Sequence, residues 1–578
     1  MNAAGNSASW RSWIEVTALA LALMMMFAAE VAGADGMAPT LFREVPPQQS
    51  GVTWVHDNGK SSKRYLPEMA GAGVAIFDYN NDGWMDILLV NSGPSGFFKP
   101  KTPLGQALYR NNHDGTFTDV TRKAGLSTEL FGMGVAIGDY DGDGFEDIFI
   151  AGVGRCVLYH NNGDGTFTDV TQRSGITASQ WSTSALWFDF DNDGKLDLFV
   201  AEFADYSGNR VCSLSDAYAG AARGLPMAQS YYCHPRLFKP APSRLYRNLG
   251  NGKFADVSEQ TGISLPGKAW GAVAADIDQD GYVDLFVSND TMPNFLWRNR
   301  EGKGFEEIGL QAGVAYSSDG IPRSGMGVDA ADFDRDGRED LVVANIDAET
   351  TSLYRNAGDE VFDDVNMRTG VASVTRMLSG WGLHFLDYDN DGWPDLMLAN
   401  GHPDDTADQR HNGITYQQPL LLLHNAAGKK LENVSHLAGN AFDQRYAARG
   451  LAVGDLNNDG YPDVVFTENG GPVHILMNSA TSRNHWLGLQ LRAKRANPAA
   501  TGAVIRWSIA GNVFSRQTTA GGSYLSSQDP RQILGAGAGQ IEWVEVRWPR
   551  PSDRIDRIVH PAMNRYITIR EGESSGSQ

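Results

Sequence analysis

The sequence predicts an all-β chain: a seven-bladed β-propeller followed by a small β-sandwich-like domain. Three observations carry this. An acidic loop of pattern D-x-[DN]-x-D-G-x-x-D recurs seven times, and short apolar, β-branched runs bounded by Gly flank every copy. The first aspartates of successive loops are 61, 50, 87, 56, 55 and 68 residues apart, a common unit of fifty-odd residues with insertions. A closing stroke of type Phe-x-Asp-Val also occurs seven times, six copies after the first loop and one, Phe42-Arg-Glu-Val45, before it.

Residues 1–34 read as a secretory signal peptide. Arg11 precedes an apolar core from Val16 to Ala29, and Ala32-Gly-Ala34 offers a small-residue cleavage site. The alternative is an uncleaved anchor, for which the core is short against the ~20 residues a span requires. No Cys follows the site to carry a lipid, and no later stretch is apolar enough to cross a membrane. The expected product is secreted or periplasmic, monomeric, and free of a membrane span after cleavage.

Residues 35–480 form the expected propeller. Each unit reads as four strokes, for example Gly134–Gly138, Asp147–Ala151, Leu158-Tyr-His-Asn161 and Phe167-Thr-Asp-Val170, with the acidic loop between the first two. Placing Phe42–Val45 in the last blade closes the ring and removes a sheet edge. The loops supply Asp78, Asn80, Asp82 and Asp86; Asp139, Asp141, Asp143 and Asp147; Asp189, Asp191, Asp193 and Asp197; Asp276, Asp278, Asp280 and Asp284; Asp332, Asp334, Asp336 and Asp340; Asp387, Asp389, Asp391 and Asp395; and Asp455, Asn457, Asp459 and Asp463. Backbone carbonyls at loop position 7 complete the sets, from Trp84, Phe145, Lys195, Tyr282, Arg338, Trp393 and Tyr461. All these donors are hard oxygens and no loop contains His or Cys, which selects calcium over zinc or copper. The EF-hand's Glu at position 12 is replaced by Leu89, Ile150, Val200, Val287, Val343, Leu398 or Phe466, so these are strand–loop–strand sites. The ligand positions hold 26 acids against a net charge of −21, so the rest of the chain is slightly basic and up to seven structural calcium ions would bring the total to −7. Nothing in this balance points to nucleic acid.

An insertion, 205–242, lengthens the third interval. Cys212 and Cys233 bracket it and could form a disulfide, leaving Cys156 as a small buried hydrophobe. The insertion is either a lid or a variable surface loop. Residues 481–571 alternate apolar and polar in Trp486–Leu491, Ala503–Ile509, Ile541–Trp548 and Arg565–Ile569, giving a small β-domain packed on or beside the propeller. Residues 572–578 form a disordered tail.

The Leu-Tyr-Arg-Asn…Phe-x-Asp-Val-Thr cadence with its DxDxDG loops resembles the FG-GAP/VCBS repeats of integrin-type propellers. Asn484-His-Trp-Leu487, Thr501-Gly-Ala-Val504, Tyr524-Leu-Ser-Ser-Gln528 and Trp548-Pro549 are similar to the ASPIC/UnbV domain. Together they resemble the cartilage acidic protein-like family over nearly all of the chain after the signal. One departure is Leu534-Gly-Ala-Gly537, where that family tends to read Phe-Gly-Leu-Gly; it is read as a packing variation.

On the propeller face opposite the calcium loops, strand ends carry Glu202, Asp205, Asn289, Asp290, Asn345, Asp347, Asn400, His402, Asp404, Glu468 and Asn469, while Glu68, Trp181, Trp270, Arg323, Trp381 and Arg449 lead into the first strands. Of these, Trp270, Asp290, Arg323, Trp381, His402 and Arg449 form the expected ligand face, although Trp and Asn at strand ends also pack blades and cap turns. No nucleophile elbow, phosphate loop, zinc spacing or haem motif occurs. The expectation is a secreted calcium-binding interaction protein for an extracellular protein or glycan. The alternative is an enzyme, a polysaccharide lyase or a secondary-metabolite tailoring enzyme, with His402, Arg323 and Arg449 as its base and cations.

Overall fold

The computed structural model describes residues 40–101, 104–177, 181–206, 210–217, 229–410 and 413–573; residues 1–34, where a signal peptide is expected, two parts of the insertion and 574–578 lie outside them. Seven antiparallel sheets repeat one order, first strand to fourth, in a propeller-like series. Blade 1 comprises Val74–Phe77, Asp86–Leu89, Ala107–Asn111 and Phe117–Asp119. Blade 2 comprises Phe131–Gly138, Asp147–Val153, Val157–Asn161 and Phe167–Asp169, and blade 3 Ser182–Phe188, Asp197–Glu202, Arg244–Gly250 and Lys253–Asp256. Blade 4 runs Ala269–Ala275, Asp284–Asn289, Phe295–Asn299 and Phe305–Glu307, and blade 5 Gly325–Ala331, Asp340–Asn345, Ser352–Gly358 and Val361–Asp364. Blade 6 has Gly380–Leu386, Asp395–Asn400, Leu421–Asn425 and Leu431–Asn433. Blade 7 has Ala448–Gly454, Asp463–Glu468 and Val473–Asn478, and its fourth strand is the amino-terminal Phe42–Glu44, with Phe42 opposite Asn478.

Burial explains why the strokes differ in composition. First strands pack against their neighbours around the axis, that of blade 7 against that of blade 1, so both faces are covered. Ser182–Phe188 and Ala269–Ala275 are buried at every residue, which calls for continuous apolar or small side chains. Fourth strands lie at the outside, and Phe117-Thr-Asp119 buries only its Phe.

The carboxy-terminal domain has two sheets. In one, His485–Arg492 lies between Gln532–Gly537 and a parallel partner, Tyr566–Arg570; the other is ordered Asn512–Gln517, Val504–Ile509, Ile541–Arg547 and Ile555–Val559. Leu487, Leu489, Ile505, Trp507, Leu534, Val544, Val546, Trp548 and Ile569 fill the space between them. Leu534 thus sits in this core, consistent with the packing reading of the Leu-Gly-Ala-Gly departure.

This domain is threaded into the ring. Residues 518–531 leave it as a plug that bonds to the first strands along the axis. Ala520–Gly521 adds a fifth strand to blade 4, beside Val273 and Ala274. Val135 N–H donates to the Leu525 carbonyl (3.1 Å), Val328 N–H to that of Ser523 (3.2 Å) and Ile76 N–H to that of Ser527 (3.1 Å), while Leu525 N–H reaches Ser184 Oγ (3.3 Å) and Asp529 N–H the Val453 carbonyl (3.1 Å). Blades 1 to 5 and 7 therefore each hold the plug through a hydrogen bond, and blade 6 through the ring of Trp381, 4.9 Å from that of Tyr524. Residues from Leu41 onward accordingly form one compact unit.

Candidate functional site

Each acidic loop is pre-shaped by its own backbone. The position-1 carboxylate accepts the position-6 Gly N–H at 2.7–2.9 Å, and the position-5 carboxylate accepts the position-7 N–H at 2.8–3.1 Å. The position-6 residue holds φ between +83° and +92° in all seven loops, which only Gly adopts without strain. The position-9 aspartate has a second role that sequence did not reveal. One oxygen accepts the N–H of the third strand's Asn at 2.7–2.8 Å and the other accepts the loop's position-2 N–H at 2.9–3.3 Å.

The loops are also clasped to one another. Nδ2 of that third-strand Asn donates to the position-2 carbonyl of the preceding blade at 2.8–3.1 Å: Asn161 to Tyr79, Asn248 to Tyr140, Asn299 to Phe190, Asn356 to Ile277, Asn425 to Phe333, Asn478 to Tyr388 and, across the seam, Asn111 to Leu456. In the opposite direction, position-4 amides of Asn81, Asn192, Gln279, Asn390 and Asn458 cap the position-6 carbonyl of the next loop.

The donor set fits a cation. Several trios, including Asp139, Asp141 and Asp143, Asp189, Asp191 and Asp197, and Asp276, Asp278 and Asp284, hold donor atoms within 4.8 Å of one another. Asp191 Oδ1, Asp334 Oδ1 and Asp387 Oδ1 are buried without a hydrogen-bond partner among the described residues. Burial, with neighbouring carboxylates adding to it, pushes Asp139 up to about 6 and Asp189 and Asp276 up to about 7, the response of packed acids lacking a counter-charge. Basic side chains lean in from the third strand: Arg247 reaches Asp191 (2.6 Å), Arg355 pairs with Asp334 and Asp336, and His160 and His424 stand at the same position in blades 2 and 6. The Leu-Tyr-His-Asn and Leu-Leu-His-Asn variants of the third stroke were the available signal for these two.

The expected ligand face requires correction. Trp270, Trp381 and Arg449 are fully buried, and Asp290 and His402 are nearly so. Trp270 and Trp381 flank the plug's Tyr524, whose hydroxyl donates to the Ala70 carbonyl (3.0 Å). Arg449 stacks on Trp381 at 4.0 Å and donates to the carbonyls of Met69 (2.8 Å), Ala448 (2.8 Å) and His402 (3.2 Å). His402 Nδ1 accepts the Asp404 N–H (2.9 Å) and its Nε2 faces Asp347 Oδ1 (3.2 Å), so neither ring nitrogen is free to take a proton from a substrate. Arg323 is held inside blade 5 by Ser352 Oγ (2.5 Å) and Asp364 (3.6 Å). Burial pushes the Asp290 carboxyl up to about 6. The axis had to be filled, and the plug fills it; a sequence reading that stops at 480 leaves these residues facing an empty channel.

The insertion is tied down on the mouth side. Cys212 and Cys233 are disulfide-bonded, Cys156 is free and buried, and Arg64 links the Ser230 carbonyl (3.0 Å) to Asp405 (3.0 Å) of the segment following blade 6's second strand. Among the described residues no helix is long and apolar enough to cross a membrane.

The carboxy-terminal domain covers the loop side instead. Tyr566 Oη donates to Asp455 Oδ2 (2.7 Å), and Arg531 reaches Asn458 Oδ1 (2.6 Å) and the Asp455 carbonyl (2.7 Å). Gly535 lies so close to loop 6 that a Cβ would fall 2.0 Å from Asp387 Oδ2. Between this domain and the ring lies a cavity of about 500 Å³ whose lining includes Asp329, Arg335, Glu339, His384, Trp507 and Arg516. Arg335 is sandwiched between Trp393 (3.9 Å) and Phe514 (4.8 Å), and Arg516 donates to the Ile533 carbonyl (2.8 Å). Among the described residues neither guanidinium forms an ion pair. Burial lowers the pKa of both, while Asp387 raises it.

Comparison with known proteins matches the FG-GAP-like repeat model to residues 78–150, 139–200, 238–287, 276–343 and 332–398, the FG-GAP repeat model to 447–476, and the ASPIC and UnbV model to 493–576. Cartilage acidic protein 1 is 24% identical over 316 residues in Xenopus tropicalis (52% of this chain, 45% of that protein) and 24% identical over 323 residues in Homo sapiens (54% and 46%). The match thus spans under half the length of these relatives. Mouse integrin alpha-7 is 34% identical over 104 residues, covering 16% of this chain and 9% of that protein. Similar solved structures include an Agrocybe aegerita lectin recognising non-reducing terminal N-acetylglucosamine (17% identity, 65% of this chain and 88% of that one, TM-score 0.37) and YCF48 bound to D1 peptide (9%, 77% and 96%, TM-score 0.40).

Proposed function

We propose, from the premise that this chain belongs to the FG-GAP-repeat proteins with a carboxy-terminal ASPIC/UnbV domain, that it is a secreted seven-bladed calcium propeller that binds an anionic extracellular glycan or protein segment. Calcium in the loops is structural: it would be held by the carboxylates at positions 1, 3, 5 and 9 and would neutralise acids that otherwise repel one another. The observation that carries the binding reading is the cavity between the carboxy-terminal domain and the ring, where among the described residues Arg335 and Arg516 have no carboxylate partner. With cations in loops 5 and 6, Asp332, Asp387 and Asp391 no longer offset these guanidinium groups, which leaves Glu339 as the acid facing Arg516 and raises the positive charge of the cavity. Ligand capture is then calcium-dependent, through charge-assisted contacts to a carboxylate, sulfate or phosphate group. The engaged nitrogens of His402 and the enclosed guanidinium of Arg449 support binding over lyase chemistry.

The test is an array of neutral, carboxylated and sulfated glycans and acidic peptides, probed in calcium and in chelator. Arg516→Gln should weaken binding of the anionic probes at least about thirtyfold, the lower end of the cost of truncating a buried charged contact. Preference for neutral probes, or binding indifferent to both chelator and Arg516→Gln, would refute the reading. Unsaturated products released from pectic polymers would favour the lyase instead.

A further inference from the structure

We propose that blades 2 and 6 each hold a first-row divalent transition ion through a mixed imidazole–carboxylate set, Asp141, Asp147 and His160 in one and Asp389, Asp391 and His424 in the other, whereas the remaining loops are oxygen-only sites. This rests on the reading that the acidic loops hold cations, and it divides them into two chemical classes.

The residue before the third strand's Asn differs between blades, and in blades 2, 3, 5 and 6 it lies against the loop of its own blade. It is Arg110, Arg247, Arg298 and Arg355 in blades 1, 3, 4 and 5 and Met477 in blade 7. Arginine stays protonated and cannot ligate a metal; it can only act as a counter-ion, as Arg247 and Arg355 do. Imidazole can ligate. In blade 2, His160 Nδ1 lies 3.2 Å from Asp141 Oδ2 and 3.3 Å from Asp147 Oδ1. That nitrogen is buried, yet among the described residues it has no hydrogen-bond partner in either direction. Short N···O separations without hydrogen-bond geometry are what donors aimed at one shared point produce. The three donor atoms lie within 4.8 Å of one another, as do those of Asp389, Asp391 and His424. In blade 6, His424 Nδ1 is 3.1 Å from Asp395 Oδ1 and 3.4 Å from the Tyr388 hydroxyl, and the loop's first aspartate, Asp387, only 7% exposed, keeps Oδ1 without a partner among the described residues.

Donor type decides the ion. Calcium and magnesium take oxygen ligands, and an imidazole nitrogen with two or three carboxylates suits manganese, cobalt or zinc. Neutral imidazole ligation also leaves the loop's negative charge for the ion, where an arginine would compete with it. In the competing account both histidines are protonated and serve only as counter-ions.

The test uses untagged full-length protein, stripped with chelator and then given Mn²⁺ in the presence of excess Ca²⁺, so that oxygen-only loops are filled by calcium. About two Mn²⁺ should remain per chain, and pulsed electron paramagnetic resonance should show imidazole ¹⁴N coupling to them. His160→Gln and His424→Gln should each remove one Mn²⁺ and its coupling while calcium stays bound in the other loops. Calcium binding with no nitrogen-coupled Mn²⁺, or coupling that survives in the double variant, overturns the proposal and leaves the calcium propeller standing. Failure to bind either ion overturns both. The wild-type spectrum decides the matter even if a variant does not fold.

Discussion

Tyr524 fastens the carboxy-terminal domain into the ring, and its removal is the sharpest test of the plug. Its side chain is fully buried, with ring centroids 4.9 Å from Trp381 and 5.7 Å from Trp270, and its hydroxyl reaches the Ala70 carbonyl at 3.0 Å. Tyr524→Phe keeps the ring and loses one hydrogen bond to a carbonyl that stays enclosed, which costs about 1 kcal/mol. Tyr524→Ala also removes the ring from a site bounded by two rigid indoles, which cannot collapse into the space. Large-to-small changes of that kind cost roughly 3–5 kcal/mol. Urea unfolding in saturating calcium measures both, and the Ala variant should also become more sensitive to proteolysis between 479 and 484, the link between ring and domain. If Tyr524→Ala costs less than ~1 kcal/mol and leaves cleavage unchanged, the plug is not seated in the channel and the burial of Trp270, Trp381 and Arg449 has to be explained otherwise.

Two further outcomes follow from the loops. Asn248→Ala removes the amide that bonds to the carbonyls of Tyr140 and Leu196, leaving both without that donor; about 2 kcal/mol of stability should be lost by chemical unfolding, against under ~0.5 kcal/mol for an exposed control such as Thr168→Ala. In chelator, stability should fall as pH rises from about 4 to about 7. Burial raises Asp147, Asp189, Asp276 and Asp395 to about 7, above their unfolded value, so the folded form binds more protons through that window and loses that stabilisation as they leave. Saturating calcium should flatten or reverse the slope, because cation and protons compete for the same oxygens; thermal melts across the pH series, with and without calcium, measure both. A metal-free melt that rises with pH over that range would contradict the packed-acid account of the loops.

Much of the ring was legible in advance because its determinants are local. Gly at loop position 6 is required by its own backbone angle, the oxygen donors by their spacing, and the strand types by burial on one or both faces. The closing strand Phe42–Glu44 was found by matching seven fourth strokes to seven loops. In the carboxy-terminal domain the four strands expected are present. Asn512–Gln517, Gln532–Gly537 and Ile555–Val559 were missed: Asn512–Gln517 and Ile555–Val559 line the edges of their sheet, where half-exposed residues blur the alternation, and Gln532–Gly537 carries two glycines.

The sequence by itself determined the repeat, the number of loops and the spacing of their oxygen donors, because each depends on residues a few positions apart, and it determined the strand that closes the last blade by count, seven fourth strokes against seven loops. Only tertiary structure decided what lies across the ring. It turned the third-strand Asn into a clasp between blades, brought His160 and His424 into two of the loops, and placed Tyr524 against tryptophans some 140 and 250 residues earlier. None of these contacts leaves a local pattern, since a side chain that meets its partner across the axis is constrained by the shape of the space there and not by its neighbours in the chain. The expected ligand mouth was misread for that reason: aromatic and basic groups at strand ends look alike whether they face solvent or a plug from the far end of the same chain.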